Sequence, residues 1–289
     1  MEISGWIYVV VIILGIIIAA TLIGCLLTIL VIWTRPVLQK LVNAPLVSLS
    51  CADIISSSFG APLLIHAFLH PGWEPPGALC WLQAYATVVL WGVSSCHMAC
   101  IAVQRYFMVC TSSTLLKSKR VLFSMLSLTW LIPFLSALPI HIVEEVKVNP
   151  KLKRCGMGAS TNQWGKMLPT VVSFMAPFIV TIISYALILY HVRMSKKRVG
   201  AHGSSPQNSA AERQITRMMM ILFAVYTVCS MPLIVMVIFS SRVPPEAFTV
   251  GQVLMALNGA LNPIIYGLMN RNIRQGYKHI RDSMLNSIV

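Results

Sequence analysis

Long apolar runs separated by short polar segments dominate the chain. Seven runs are long enough to cross a hydrocarbon core of ~30 Å as helices, which takes about 20 residues, and alternating strand patterns are absent. Since lipid admits only helices and closed barrels as spanning structures, the pattern predicts an all-α membrane protein, a seven-helix bundle in one domain over 1–289. The predicted spans cover about 6–33, 44–69, 79–110, 120–141, 165–192, 214–240 and 246–269. A short amphipathic stretch, 271–282, predicts a helix on the membrane surface.

The charge of the chain is concentrated on one side of these spans. Only 10% of the residues are charged, against about 25% in a typical soluble domain. Sixteen of the 22 lysines and arginines fall on the side of the C-terminal tail and of the linker between spans 5 and 6. The positive-inside rule therefore places the N-terminus outside and the C-terminus in the cytoplasm. The net charge of +14 predicts contact with anionic membrane lipid and not with nucleic acid.

Two of the eight cysteines lie on the outer side of this topology. Cys80 begins span 3 and Cys155 lies in the outer loop after span 4, whereas the other six fall within spans. A pair facing an oxidising compartment predicts a disulfide that ties the loop to the top of span 3. Two free outer thiols are the alternative.

Several polar side chains lie deep within the spans, where such groups are costly and usually functional. Asp53 and Ser94 are at matched depths of about 15 Å, and Asn258 and Asn262 share one face of span 7. Their oxygens suit a hard cation, which predicts a sodium site. A water-filled polar network with Asp53 protonated is the alternative.

Arg105 follows Cys80 by about 37 Å of helix. This distance places Arg105 at the cytoplasmic mouth of the bundle. We therefore expect its guanidinium to be only partly removed from water.

Short motifs occur in a fixed order along the spans. They are LSCAD at 49–53, Trp73 before Cys80, Arg105-Tyr106, Trp130, Cys155, Pro177 with Tyr185, Cys229 with Pro232, and NPIIY at 262–266. This set resembles the rhodopsin-like (class A) G-protein-coupled receptors over nearly the whole chain. The local sequences around Arg105 and after Asn262 are similar to those of the melatonin-receptor and opsin branches. The resemblance implies a plasma-membrane receptor that couples a small extracellular ligand to a heterotrimeric G protein.

The resemblance also implies which residues switch the receptor. They are Gln104, Arg105, Tyr106, Tyr185, Glu212, Asn262, Pro263 and Tyr266. Glu212 would pair with Arg105 in the closed state, and Tyr185 and Tyr266 would turn inward in the open one. The family's acid before the arginine is Gln104 here, so the closed state is expected to be weakly held.

Departures from the family pattern shape the expected ligand pocket. The span 1 asparagine is Cys25 and the span 6 tryptophan is Ser230, a space that Trp91 is predicted to fill; a Trp91 facing lipid or a helix seam is the alternative. The expected lining is Gln83, Thr87, Val88, Trp91, Ser230, Leu233, Ile234, Val237, Phe248 and Gln252, which suits a small neutral or lipid-like ligand. Ala256 replaces the lysine that links retinal, so no retinal is expected.

The sequence also bears on three other classes of function: a heterodimerising receptor-like protein, a transporter and an enzyme. A non-signalling or constitutively active receptor-like protein acting through heterodimerisation stays open because of the departures at Cys25, Gln104 and Ser230. A transporter is disfavoured because no inverted repeat is apparent. The sequence contains no spaced His/Glu metal motif and no nucleophile–base pair, so no enzyme is predicted.

Overall fold

The computed structural model describes residues 5–111, 118–139, 146–157, 164–199, 208–239 and 242–288. Within these residues, seven helices are long and apolar enough to cross a membrane, which confirms the predicted all-α membrane bundle. The seven spans are α1 Gly5–Thr34, α2 Ala44–Leu69, α3 Gly77–Tyr106, α4 Lys119–Ala137, α5 over 164–199, α6 Asn208–Ile238 and α7 Pro245–Met269, and α8 Arg271–Ile288 follows. A 3-10 turn, Leu41–Asn43, precedes α2, and a π-turn, Phe107–Thr111, ends α3.

Several bounds differ from the prediction: α5 continues to Val199 rather than 192, and α6 begins at Asn208 rather than 214. The helix α4 ends at Ala137 rather than near 141, and α8 continues to Ile288, six residues beyond the predicted 282. Ser283, Asn286 and Ser287 alternate with apolar residues in this extension, so no continuous apolar run marks the end of α8.

The helix α5 changes its winding at its outer third. It is α-helical over Trp164–Thr170 and Ala176–Val199 and π-helical over Val171–Met175 between them. Pro177 explains this position, because it has no N–H to donate to the carbonyl one turn earlier. Such π-turns are frequent at functional sites, and this one carries Phe174.

The first span packs closely against α7 and α8. A Cβ at Gly24 would lie 2.5 Å from Pro263 Cγ, and a Cβ at Gly276 would lie 2.2 Å from Val31 Cγ1. Tyr277 also bonds the Thr28 hydroxyl, 2.6 Å away. These contacts hold α8 beneath the ends of α1 and α7; we call this the inner end of the bundle.

The inner end contains the largest buried apolar cluster. We call it the inner cluster; its buried members are Val31, Ile32, Leu38, Leu46, Ile101, Ala102, Tyr185, Ile188, Met218, Met219, Leu222, Ile265, Tyr266 and Ile273. Residues from α1, α2, α3, α5, α6, α7 and α8 therefore meet there. Large apolar side chains elsewhere on the helices are exposed on the outside of the bundle, as expected for a surface that faces lipid.

A β-hairpin covers the opposite, outer end. Its strands are β1 Val146–Asn149 and β2 Arg154–Met157, paired antiparallel with Asn149 opposite Arg154. The side chain of Asn149 accepts the N–H groups of Lys151 and Leu152 at 3.0 and 3.2 Å, which shapes the turn. The sequence predicted an outer loop here and no strand patterns, so this short sheet corrects the prediction.

The hairpin is joined to α3 by the predicted disulfide. Cys80 and Cys155 are bonded, with their Cα atoms 5.2 Å apart. The six other cysteines are free. The disulfide therefore fixes β2 over the outer end of α3, as predicted.

Candidate functional site

A cavity of about 120 Å³ lies beneath the hairpin, between α1, α2, α3, α5, α6 and α7. We call it the outer cavity. Six of the ten residues predicted for the pocket line it: Gln83, Thr87, Trp91, Ser230, Ile234 and Gln252. Ala256 also lines it.

Four residues predicted for the pocket do not line the cavity. Val88 packs on the far side of α3, against the cluster that includes Val93. Leu233 is fully buried between α6 and α7, and Val237 is exposed on the surface of α6. Phe248 is buried under the Lys151 ammonium, 5.9 Å from its ring centroid.

Packing along α6 explains two of these differences. Ser230 and Ile234 are four residues apart and therefore share one face of the helix, and both line the cavity. Leu233 and Val237 follow them by three residues each and lie along the edge of the same face. There Leu233 packs against Gly251 of α7, whereas Val237 is exposed at the surface, so neither reaches the cavity.

Aromatic side chains form the inner wall beside α5. Trp91 lines the cavity and meets Phe174 edge-on, with ring centroids 6.0 Å apart. Ser230 lines the same cavity. Trp91 therefore faces the cavity rather than lipid, on the side where Ser230 leaves space.

Gln83 and Gln252 hold the hairpin as well as lining the cavity. The Gln83 carbonyl oxygen accepts the Cys155 backbone N–H at 3.1 Å. The Gln252 amide donates to the Leu152 carbonyl at 2.7 Å. Each amide thus has a hydrogen-bond partner in the hairpin, although the sequence suggested that both amides would bond a ligand.

The predicted cation ligands lie at the deep end of the cavity. Asn262 Nδ2 donates to Asp53 Oδ2 at 2.8 Å, and Asp53, Ser94 and Asn258 line the cavity. The Oδ1 atoms of Asn258 and Asn262 are buried without a hydrogen-bond partner among the described residues. Buried oxygens of this kind beside a carboxylate fit a hard cation.

Arg105 is more deeply buried than its position at the inner mouth suggested. Its side chain is 0% exposed, the largest of the fully buried side chains. The inner cluster includes Ile101 and Ala102 on the preceding turn of α3, and Tyr185 lies within electrostatic range of the guanidinium. The expected partial contact of Arg105 with water is therefore wrong, because the packed side chains of the inner end cover it completely.

The remaining predicted switch residues surround this point. Gln104 and Tyr266 are buried, Tyr185 packs against Phe223, and Tyr106 is half-buried against Phe107. Glu212 belongs to the first turns of α6, but its side chain lies outside the described residues, so its pairing with Arg105 stays a prediction.

Sequence reasoning missed several residues that line the cavity, and Arg154 and Phe174 are the two that matter most for the proposals below. Both line the outer cavity. A signal for Arg154 was present: a neighbour of the disulfide-bonded Cys155 must lie near the outer end of α3. No comparable signal marks Phe174, which reaches the cavity because of the π-turn in α5.

Comparison with known proteins identifies the family of this chain. The family model described as 7 transmembrane receptor (rhodopsin family) matches residues 24–266. Melatonin receptor type 1B-B of Danio rerio is 27% identical over 267 residues, 89% of this chain and 77% of that protein. Melatonin receptor type 1A of Phodopus sungorus is 26% identical over 280 residues, 93% of this chain and 79% of that protein.

The fold has a close counterpart among solved structures. The crystal structure of squid rhodopsin aligns with a TM-score of 0.84, covering 96% of this chain and 82% of that chain at 18% identity. Together with the disulfide and the seven spans, these similarities show that the chain belongs to the rhodopsin family of seven-transmembrane receptors.

Proposed function

We propose that the outer cavity binds a small, largely apolar or lipid-like extracellular ligand and that this binding promotes nucleotide exchange on a heterotrimeric G protein at the inner end. Family membership makes the chain a multi-pass membrane receptor and not an enzyme. The identity of the ligand, the G protein that couples and the outside position of the N-terminus belong to the proposal.

The observation that carries the proposal is a row of aromatic contacts from the cavity towards Arg105. Phe174 meets Trp91 at the cavity. One turn further along α5, Phe178 lies 5.3 Å from Phe223 of α6, and Phe223 lies 6.0 Å from Tyr185. Tyr185 belongs to the inner cluster.

This arrangement suggests how a ligand would act. A ligand beside Trp91 and Phe174 would contact the π-turn of α5, where the helix departs from regular α-helical winding. A shift of α5 at this turn is passed to α6 through Phe178 and Phe223. Since α5 and α6 close the inner end over Arg105, separating them would expose the arginine to a G protein.

A bound sodium ion is part of the proposed inactive state. Asp53, Ser94, Asn258 and Asn262 would hold it between the cavity and the inner cluster. Asp53 would supply the negative charge, and the buried amide oxygens would replace water around the ion. Such an ion would stabilise the arrangement of α2, α3 and α7 in which it binds.

The exposed face of α8 is the proposed lipid contact. Arg271, Arg274, Lys278 and Arg281 are exposed, whereas Ile273 is fully buried against the bundle. A helix held in this way directs its cations outward. In the proposed topology this face meets the anionic inner leaflet, which attracts each such cation by about 1 kcal/mol.

The test is nucleotide exchange on the major classes of Gα subunit, measured with the purified receptor in lipid nanodiscs. We expect basal exchange with at least one class, and we expect Arg105→Ala to abolish it. A variant of similar burial away from the inner end, Phe248→Leu, is the matched control for a general loss of fold.

Two results would contradict the proposal. One is wild-type receptor that yields no exchange with any class while Glu212→Ala, which should loosen the closed state, also yields none. The other is exchange that survives Arg105→Ala. The first result would favour the heterodimerising, non-signalling alternative.

A further inference from the structure

Arg154 occupies a defined position above the outer cavity. It begins β2, directly before the disulfide-bonded Cys155, and it lines the cavity. Its guanidinium carbon lies 5.5 Å from the centroid of the Trp91 ring. The cation therefore faces the same cavity wall as the aromatic residues of the proposed switch.

The backbone on both sides of Arg154 is held from two helices. On one side, Gln83 of α3 accepts the N–H of Cys155 at 3.1 Å. On the other, Gln252 of α7 donates to the carbonyl of Leu152 at 2.7 Å. Together with the disulfide, these bonds fix the arginine in place before any ligand arrives, which lowers the entropic cost of binding.

Within the part of the chain that the structure describes, no carboxylate is paired with the Arg154 guanidinium. Among the described residues, no hydrogen bond or ion pair of its guanidinium is found. Asp53 is the one acid among the residues that line the cavity, and it lies about 24 Å of helix below the outer end of α2. Burial lowers the pKa of Arg154 to about 10, so the group is still charged at neutral pH but is costly to keep charged.

The neighbouring cations of the hairpin are directed elsewhere. Lys151 Nζ donates to the Val243 carbonyl at 3.1 Å, and Lys153 Nζ lies 5.3 Å from the centroid of the Phe68 ring. Arg154 is thus the hairpin cation that the structure directs at Trp91.

We propose that Arg154 is the counter-ion for a ligand carboxylate, so that the receptor's ligand is a small organic acid with an apolar body. This inference rests on the proposed function and replaces the neutral ligand expected from the sequence. A guanidinium binds a carboxylate through two parallel hydrogen bonds. Trp91, Phe174 and Ile234 would surround the apolar body of the acid.

Charge and size favour a carboxylate over a phosphate ester. One cation balances the single charge of a carboxylate, whereas a phosphate monoester carries about two negative charges near neutral pH. The cavity volume of about 120 Å³ is of the order that accommodates a benzene-sized molecule. A compact aromatic or short-chain acid therefore fits better than a long acyl chain.

The test measures Tm of the purified full-length receptor with benzoate and 3-phenylpropanoate, each compared with its amide. We expect the acids to raise Tm by mass action and the amides, which have the same shape but no charge, to leave it unchanged. In Arg154→Gln the apparent Kd for the acids should weaken about tenfold to a hundredfold, since a hydrogen bond to a charged group is lost. Arg154→Lys should recover part of this loss.

Lys153→Gln is the matched control, because it removes one cation from the same hairpin and should keep the response to the acids. Amides that stabilise wild type as well as the acids do, acids that stabilise neither wild type nor variants, or equal losses in Lys153→Gln and Arg154→Gln would each overturn the inference. Nucleotide exchange measured in parallel separates the two proposals. Acid binding that depends on Arg154 but leaves exchange unaltered supports the pairing and contradicts the signalling.

Discussion

The two ends of the bundle are built differently. At the inner end, residues from seven helices close around a fully buried Arg105. At the outer end, a hairpin lies over a cavity lined by both polar and aromatic side chains. The inner end thus has its polar groups enclosed by apolar packing, whereas the outer end contains a cavity beside the Arg154 guanidinium.

This difference separates the residues that match the family's motifs from those that are particular to this chain. The residues that resemble the family most closely, such as Arg105 and Tyr266, lie in the packed inner end. Trp91, Arg154 and Ser230, which give the cavity its individual character, lie at the outer end. A tightly packed region responds to strain by discrete rearrangement rather than gradual deformation, which suits a conformational switch. A cavity beneath a hairpin suits the selection of a ligand.

The largest expected effect comes from breaking the disulfide that ties the hairpin to α3. Cys80→Ser or Cys155→Ser should lower the free energy of unfolding by about 2–4 kcal/mol, because the open chain gains conformational freedom. Each variant should also reduce the amount of receptor at the cell surface, and the double variant should be no worse than either. Thermal unfolding and surface labelling measure the two effects.

Cys51→Ser is the control, since Cys51 is a free, half-buried thiol. It should leave both measurements close to wild type. If the losses of stability and surface delivery add up in the double variant, each cysteine acts independently and the two are not bonded to each other.

A second prediction contrasts two glycines of α1. A Cβ at Gly24 would lie 2.5 Å from the rigid ring of Pro263, whereas a Cβ at Gly15 would meet nothing within 4 Å. Gly24→Ala should therefore destabilise the receptor by about 1–3 kcal/mol through overpacking. Gly15→Ala gains the same helix propensity without the clash and should match or exceed wild type in thermal unfolding. Equal Tm values for the two variants would mean that α1 does not approach α7 as closely as described.

A third prediction concerns the strength of the closed inner end. Gln104 is 2% exposed and directly precedes Arg105. Gln104→Glu should add a charge-assisted contact of about 0.5–1.5 kcal/mol to the closed state, and 1.4 kcal/mol changes a two-state population tenfold. Basal nucleotide exchange per receptor should fall by a few-fold to about tenfold.

Gln104→Met, which is neutral and similar in size, is the control and should retain basal exchange. If Gln104→Glu and Gln104→Met lower exchange equally, the effect comes from altered packing and not from charge. An increase in Gln104→Glu would contradict the weakly held closed state.

The helices could be predicted because each apolar run carries its own signal within about 20 consecutive residues. The disulfide followed from the topology, which left two cysteines on the outer side. The hairpin could not be predicted in this way. Its strands have four residues each, and contacts distant in sequence hold them, such as the bond from Gln83 to Cys155, 72 residues away.

The site was predictable as far as it depends on helix depth but not on helix rotation. Depth follows from counting residues along a span, and it placed Asp53 correctly beside Asn262. Rotation and packing between helices do not follow from depth, so Val88, Leu233 and Val237 were wrongly assigned to the cavity. Val88 faces another part of α3's surroundings, Leu233 packs against Gly251 of α7, and Val237 is exposed. Arg105 was expected to contact water because residue counting does not show how neighbouring helices close over a helix end.

The smallest expected effect tests the region where the two ends meet. If Asp53, Ser94, Asn258 and Asn262 hold sodium, the ion should stabilise the purified receptor by about 0.4 kcal/mol when its concentration equals Kd and by about 1.4 kcal/mol at ten times Kd. Asp53→Asn keeps the size of the side chain but removes the charge that attracts the cation, so it should abolish the response. The same substitution at an exposed acid of α8, Asp282→Asn, should leave it intact. Thermal unfolding in sodium, potassium and choline chloride at equal ionic strength measures the difference. Equal stabilisation by all three salts would be a nonspecific salt effect, and Asp53 would then belong to a hydrated polar network linking the outer cavity to the inner cluster without an ion.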